Sequence, residues 1–170
     1  MKRKKLLLIG IDAADWQLID QISQTRDLRF FKRLKEQGST GQLASLNPML
    51  SPMLWTSIAT GKRPFAHGIT GFTEFDETSQ KAIPIRASRR KVKAIWNILN
   101  EAGLKTNVVN WWPSYPLEKM NGVEISNAFY TNGANDLKTV FPETLQKELS
   151  IWKLKDAEVS GLLIQHFIPK

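Results

Sequence analysis

Lys5 opens an unbroken apolar run, Leu6-Leu7-Leu8-Ile9-Gly10-Ile11, which Asp12 ends. A run without polar alternation predicts a strand covered on both faces, the habit of parallel sheets. Helical spacing follows at Trp16, Ile19 and Ile22, then at Leu28, Phe31 and Leu34, with Gly38 placed to end the second helix. Gln42 to Leu46 reads as another strand, and Pro52 to Thr60 as a short helix stopped by Gly61. Residues 62–90 read as irregular, punctuated by Pro64, Gly68, Gly71 and Pro84. Val92, Ile95, Trp96, Leu99 and Ala102 mark an amphipathic helix closed by Gly103. Thr106 to Trp111 predicts a strand, Trp112 to Pro116 a rigid loop, Gly122 to Ser126 a further strand, and Pro142 to Leu149 a helix with proline in its first turn. This alternation predicts a layered α/β fold with a mainly parallel sheet, residues 1–170 forming part of one continuous domain.

Composition narrows the chemistry. At 170 residues the chain can build a sizeable core. It has no cysteine, so any metal must be held by carboxylate, imidazole, hydroxyl or backbone oxygen, and it has only two histidines, His67 and His166. The net charge of +8, from 24 Lys+Arg against 16 Asp+Glu, favours anionic partners without choosing among them. Much of it lies in Lys2 to Lys5 and Arg86 to Lys93, both expected to be solvated. A non-catalytic basic module that binds anions is therefore an alternative, but stacking aromatics are not interleaved with the basic residues and no nucleic-acid-binding motif is present. The basic start resembles a signal peptide only superficially, because Leu6 to Ile11 is shorter than an apolar core of about seven to fifteen residues. No segment approaches the roughly twenty apolar residues of a membrane span. The expectation is a soluble, cytoplasmic chain.

Two residues carry the candidate chemistry. Asp12 stands where strand-end ligands gather in open α/β sheets, and its oxygens suit a divalent cation. The competing reading is that Asp12 or Asp15 caps the next helix. Ser51, followed by Pro52, reads as a helix N-cap, where backbone amides and the helix dipole favour an anion beside the hydroxyl. Alone, a cap is the simpler reading here too. Thr60-Gly61-Lys62 lacks the rest of a triphosphate-binding loop. His67 is expected to structure the turn through Ile69, and His166 to be packed or at the surface. Trp111 and Trp112 suit a cleft or a core, and Arg86, Arg89 and Arg90 suit phosphate or solvent.

Three stretches together resemble the alkaline phosphatase superfamily, nearest its type I phosphodiesterase/nucleotide pyrophosphatase branch. They are Ile9 to Trp16, Ser51 to Gly61 continuing through Pro64 to Ile69, and Ala94 to Trp96 continuing through Gly103 to Pro113. The resemblance spans Lys5 to about Ser126. It implies a three-layer αβα fold and two divalent metal ions, zinc or else manganese, about 3.5–4 Å apart. It implies that Asp12 ligates one metal and that Ser51 is both nucleophile and ligand of the same metal. The reaction it implies is in-line attack on a small phosphoester, a phosphoseryl intermediate, then hydrolysis. Leu54 stands where nucleotide pyrophosphatases carry asparagine, which argues against that particular activity. The branch's downstream Asp-His pair and Asp-x-x-x-His are missing from the sequence. The expectation is thus the amino-terminal part of an incomplete domain, not competent alone and marginally stable. Other chemistries of the superfamily, mutase or phosphotransferase, stay open, as does a member that has lost activity.

Overall fold

The computed structural model describes residues 5–130 and 138–152. The chain divides into two compact units, Met1–Ser45 and Leu46–Lys170. In the first, Asp15 caps helix α1 (Trp16–Thr25), its Oδ1 accepting the N–H groups of Gln17 at 2.6 Å and Leu18 at 3.3 Å. Helix α2 (Arg29–Gln37) ends at Gly38, whose backbone is extended rather than left-handed. The expected apolar positions Trp16, Ile19, Ile22, Leu28 and Phe31 are half-buried, whereas Leu34 is exposed. Trp16 Nε1 donates to the Gly41 carbonyl at 3.2 Å, and the Lys35 ammonium lies 5.5 Å from the Trp16 ring centre and 2.7 Å from Asp20.

The two strands expected here, Lys5 to Ile11 and Gln42 to Leu46, are not formed. The apolar run is exposed instead, Leu6 at 86% and Ile11 at 54%. A parallel strand is defined by its hydrogen-bonded neighbours, and no residue described within 5–45 is a strand. The pattern specifies a chain that suits a sheet interior, not the sheet.

The second unit holds the ordered core. Helix α3 (Ser51–Thr60) stops at Gly61, whose φ of 64° is the left-handed cap that glycine adopts without a side-chain penalty. The short helix α4 (Pro64–His67) follows. Strands β1 (Thr73–Asp76) and β2 (Lys81–Pro84) pair antiparallel, a hairpin within the segment expected to be irregular. Asp76 closes its turn by accepting from the Ser79 N–H at 3.0 Å and hydroxyl at 2.6 Å. Helix α5 (Ile95–Glu101) begins three residues later than expected, because Asn97 Oδ1 accepts the Ala94 N–H at 2.8 Å and fixes the first turn there.

Strands β3 (Thr106–Val109) and β4 (Gly122–Ile125) pair parallel, and β5 (Val140–Phe141) joins β4 antiparallel. Helices and strands are mixed as expected; of the pairings among the described residues, β3–β4 is the parallel one. After Pro142 the chain runs through a 3-10 turn into helix α6 (Gln146–Leu149). Ala59, Ala94, Trp96, Val108 and Met120 form the central cluster, with Trp111 and Phe141 against it. No described helix is long and apolar enough to cross a membrane.

Candidate active site

Ser51 lies one residue inside α3, not at its cap. Leu50 is the extended capping residue, and its carbonyl accepts the first intrahelical bond from Leu54 N–H at 3.0 Å. Pro52 therefore occupies the second helical position, where its missing N–H costs no intrahelical bond. Ser51 is half-buried. Amides in a helix's first turn lack intrahelical acceptors, and the dipole makes that end positive. Both features favour a phosphoryl group beside the Ser51 hydroxyl.

The rest of α3 is held firmly. Met53, Thr56 and Ala59 are buried, and the Thr56 and Ser57 hydroxyls donate to the carbonyls of Pro52 at 2.7 Å and Met53 at 2.9 Å. Trp111 Nε1 donates to the Trp55 carbonyl at 3.1 Å, tying the helix to the end of β3. The Trp111 ring meets Trp55 at 5.4 Å and Trp96 at 5.8 Å, both edge to face. Trp111 is thus a core and anchoring residue, and Trp112 stacks edge-on against Phe72 at 5.2 Å.

His67 is fully buried and serves the turn, as expected. Its Nδ1 accepts the Ile69 N–H at 3.1 Å, so the neutral ring carries its proton on Nε2, 3.0 Å from Ser57 Oγ. Burial pushes its pKa below the ordinary 6.5, against a smaller opposing effect of the Met53 backbone. A base that is neutral when folded and protonated when unfolded adds stability that is lost as pH falls below 6.5. We expect His67→Phe to lower stability by about 1–3 kcal/mol, since the buried Ile69 N–H then lacks its acceptor. Urea unfolding at pH 7.5 measures this, and the difference from wild type shrinks on acidification below 6.5.

Asp12 lies in the first unit, in an exposed turn. Ala13 has a left-handed φ of 56°, and Ala14 N–H reaches the Ile11 carbonyl at 3.4 Å. The reading that Asp12 or Asp15 caps the next helix holds at Asp15. Ser51 lies in the second unit.

The basic cluster is not a phosphate cradle. Arg86 and Arg89 both bind Glu74, whose carboxyl burial would raise but the two guanidiniums hold below its usual range. Arg90, expected to be solvated, has a side chain only 6% exposed. It reaches Glu118 at 2.6 Å and Asn97 Oδ1 at 3.0 Å, and lies 5.3 Å from the Trp96 ring centre. The glutamates that absorb this charge stand twelve to twenty-eight positions away in sequence, so no local pattern reveals them. His166 and Lys2 to Lys4 lie outside the described residues.

No group of three or more His, Cys, Asp or Glu that could hold a metal is found among the described residues. Asp12 and the Ser51 hydroxyl do not by themselves make up a two-metal centre, so the donors present do not fit it.

Helices and strands are mixed, and a serine stands in the first turn of an anchored helix. The chain belongs to the type I phosphodiesterase/nucleotide pyrophosphatase family, whose model matches residues 6–167. No curated protein and no solved structure matches it.

Proposed function

We propose that the chain carries the nucleophile end of a metal-dependent phosphoester hydrolase with an alkaline phosphatase-like, three-layer αβα design. The observation that carries this reading is the place of Ser51 in the first turn of α3, in a chain of this family. Ser51 Oγ attacks phosphorus in line with the leaving alcohol. The new O–P bond forms as the bond to the alcohol breaks, and the seryl proton leaves with the alcohol or to solvent. Water then cleaves the phosphoseryl ester and restores the hydroxyl. The first turn of α3 orients the phosphoryl oxygens.

Asp12 would give a carboxylate oxygen and Ser51 a hydroxyl oxygen to the divalent metals, zinc or manganese, on which such a hydrolase depends. The substrate is a small phosphoester. Because the branch's Asp-His pair and Asp-x-x-x-His are missing from the sequence, the chain on its own is expected not to turn over.

Inorganic phosphate tests the anion site directly. Its addition should shift the backbone amide signals of Ser51 and Met53 in the full chain, and unchanged signals there would remove the basis for the assignment. A second expectation concerns turnover. The chain should not hydrolyse an activated aryl phosphodiester above background with added zinc or manganese. Hydrolysis abolished by Ser51→Ala would show the chain to be competent by itself.

A further inference from the structure

Glu124 is fully buried on the central strand β4, with Val108 of β3 and Phe141 of β5 as its register partners. Its Oε2 accepts the Glu118 N–H at 2.7 Å, while Oε1 has no partner among the described residues. Ser126, two residues on, shares that face of the sheet. Its N–H donates to the Thr139 carbonyl at 2.9 Å, which sets Thr139 beside it across the strand pair. Both are fully buried. Thr139 Oγ1 is the other buried side-chain oxygen without a partner among the described residues. Ser126 Oγ accepts the Ala128 N–H at 3.2 Å and keeps its own proton to give. Two orphaned oxygens and a hydroxyl on one buried face are the two to four polar partners that an internal water takes.

We propose that Glu124, Ser126 and Thr139 hold one buried water on the core face of β4–β5, and that Glu124 carries a proton there whose loss loosens the pairing of β5. The surroundings favour the acid form. Glu118 faces Glu124 with like charge, and Arg90, the cation nearby, is already bound to Glu118. Val108 and Phe141 bring no charge, and Lys138 is paired with Glu143 at the surface. Burial, reinforced by Glu118, raises the pKa to about 7, with smaller opposing effects of the Glu118 amide and Arg90. With its folded pKa above the ordinary 4.5, Glu124 adds stability that is complete below 4.5 and lost as pH rises through about 7. His67 works in the opposite sense and only below 6.5, so the window above 6.5 reports Glu124. Strand β5 is two residues long, so its ladder to β4 is short.

The test uses the full chain labelled with ¹³C at the glutamate carboxyls. Glu124 should titrate near neutrality, and the Thr139 methyl should show a cross-peak to a long-lived water. Protection of the Ser126 amide from hydrogen exchange, referred to Asn110, should fall about fourfold between pH 6.5 and 8. Glu124→Gln should remove that pH dependence, and Thr139→Val should remove the water signal. A Glu124 carboxyl that titrates with the ordinary glutamates, or a Thr139 methyl with no bound water, overturns the proposal. Both readouts come from the unsubstituted chain and stand even if a variant fails to fold.

Discussion

Gly122→Ala should unfold the second unit or cost it about 3 kcal/mol or more, the scale of strain combined with a lost strand pairing. Gly122 opens β4 with a φ of 151°, a backbone that side chains rarely adopt. A β-carbon there would lie 2.8 Å from the carbonyl carbon of Thr106, its register partner in β3, and closer still to that carbonyl's oxygen. The obstacle is backbone, so no rotamer change relieves it. Either β4 moves away from β3 or the φ changes, and both disrupt the parallel pairing that seats Val108 in the core. Gly71→Ala is the matched control, because a β-carbon there meets nothing within 4 Å. Urea unfolding of the two variants should give a large loss for the first and a change within about 0.5 kcal/mol for the second.

The next largest effect is expected at Arg90. Its guanidinium bridges Glu118, Asn97 and the Val92 carbonyl in a nearly buried position. Burial alone would raise the Glu118 pKa, yet Arg90, Trp96 Nε1 at 2.8 Å and Asn97 hold it below the ordinary 4.5. Arg90→Met keeps the aliphatic bulk over Trp96 and leaves the partly buried Glu118 carboxylate without its cation, though still bonded to Trp96 and Asn97, at a cost of about 2–3 kcal/mol. Since the folded pKa of Glu118 is depressed, the lost stability is the part present above 4.5 and absent as pH falls through the folded value. The deficit of Arg90→Met should therefore be largest at neutral pH and shrink on acidification. Glu118→Met combined with Arg90→Met should recover much of it, because the stranded charge is then gone. Thermal melts of the two single variants and the double variant, at pH 4 and pH 7, measure both effects.

Local chemistry made part of this fold readable. Asp15 ahead of α1, Pro52 and Gly61 at the ends of α3, and the apolar stretches of β3 and β4 announce themselves through caps and composition. The β1–β2 hairpin does not, since Gln80 rather than glycine takes the left-handed position in its turn, with a φ of 54°. Lys5 to Ile11 shows the opposite failure, a strong strand pattern whose structure depends on neighbours that a one-dimensional pattern cannot supply. The candidate site was legible only as residue types. Ser51 was placed within one position, whereas the engagement of Arg86, Arg89 and Arg90 with distant glutamates depends on tertiary structure alone.

The proposal that Asp12 and Ser51 are both metal ligands can be read directly from manganese added to the isotopically labelled full chain. Paramagnetic loss of the amide signals of residues 11–13 and of Leu50, Ser51 and Met53 is the result it predicts. Asp12→Asn should then spare residues 11–13. Signals that persist at either segment, or that fade uniformly across the exposed acidic side chains, would contradict it.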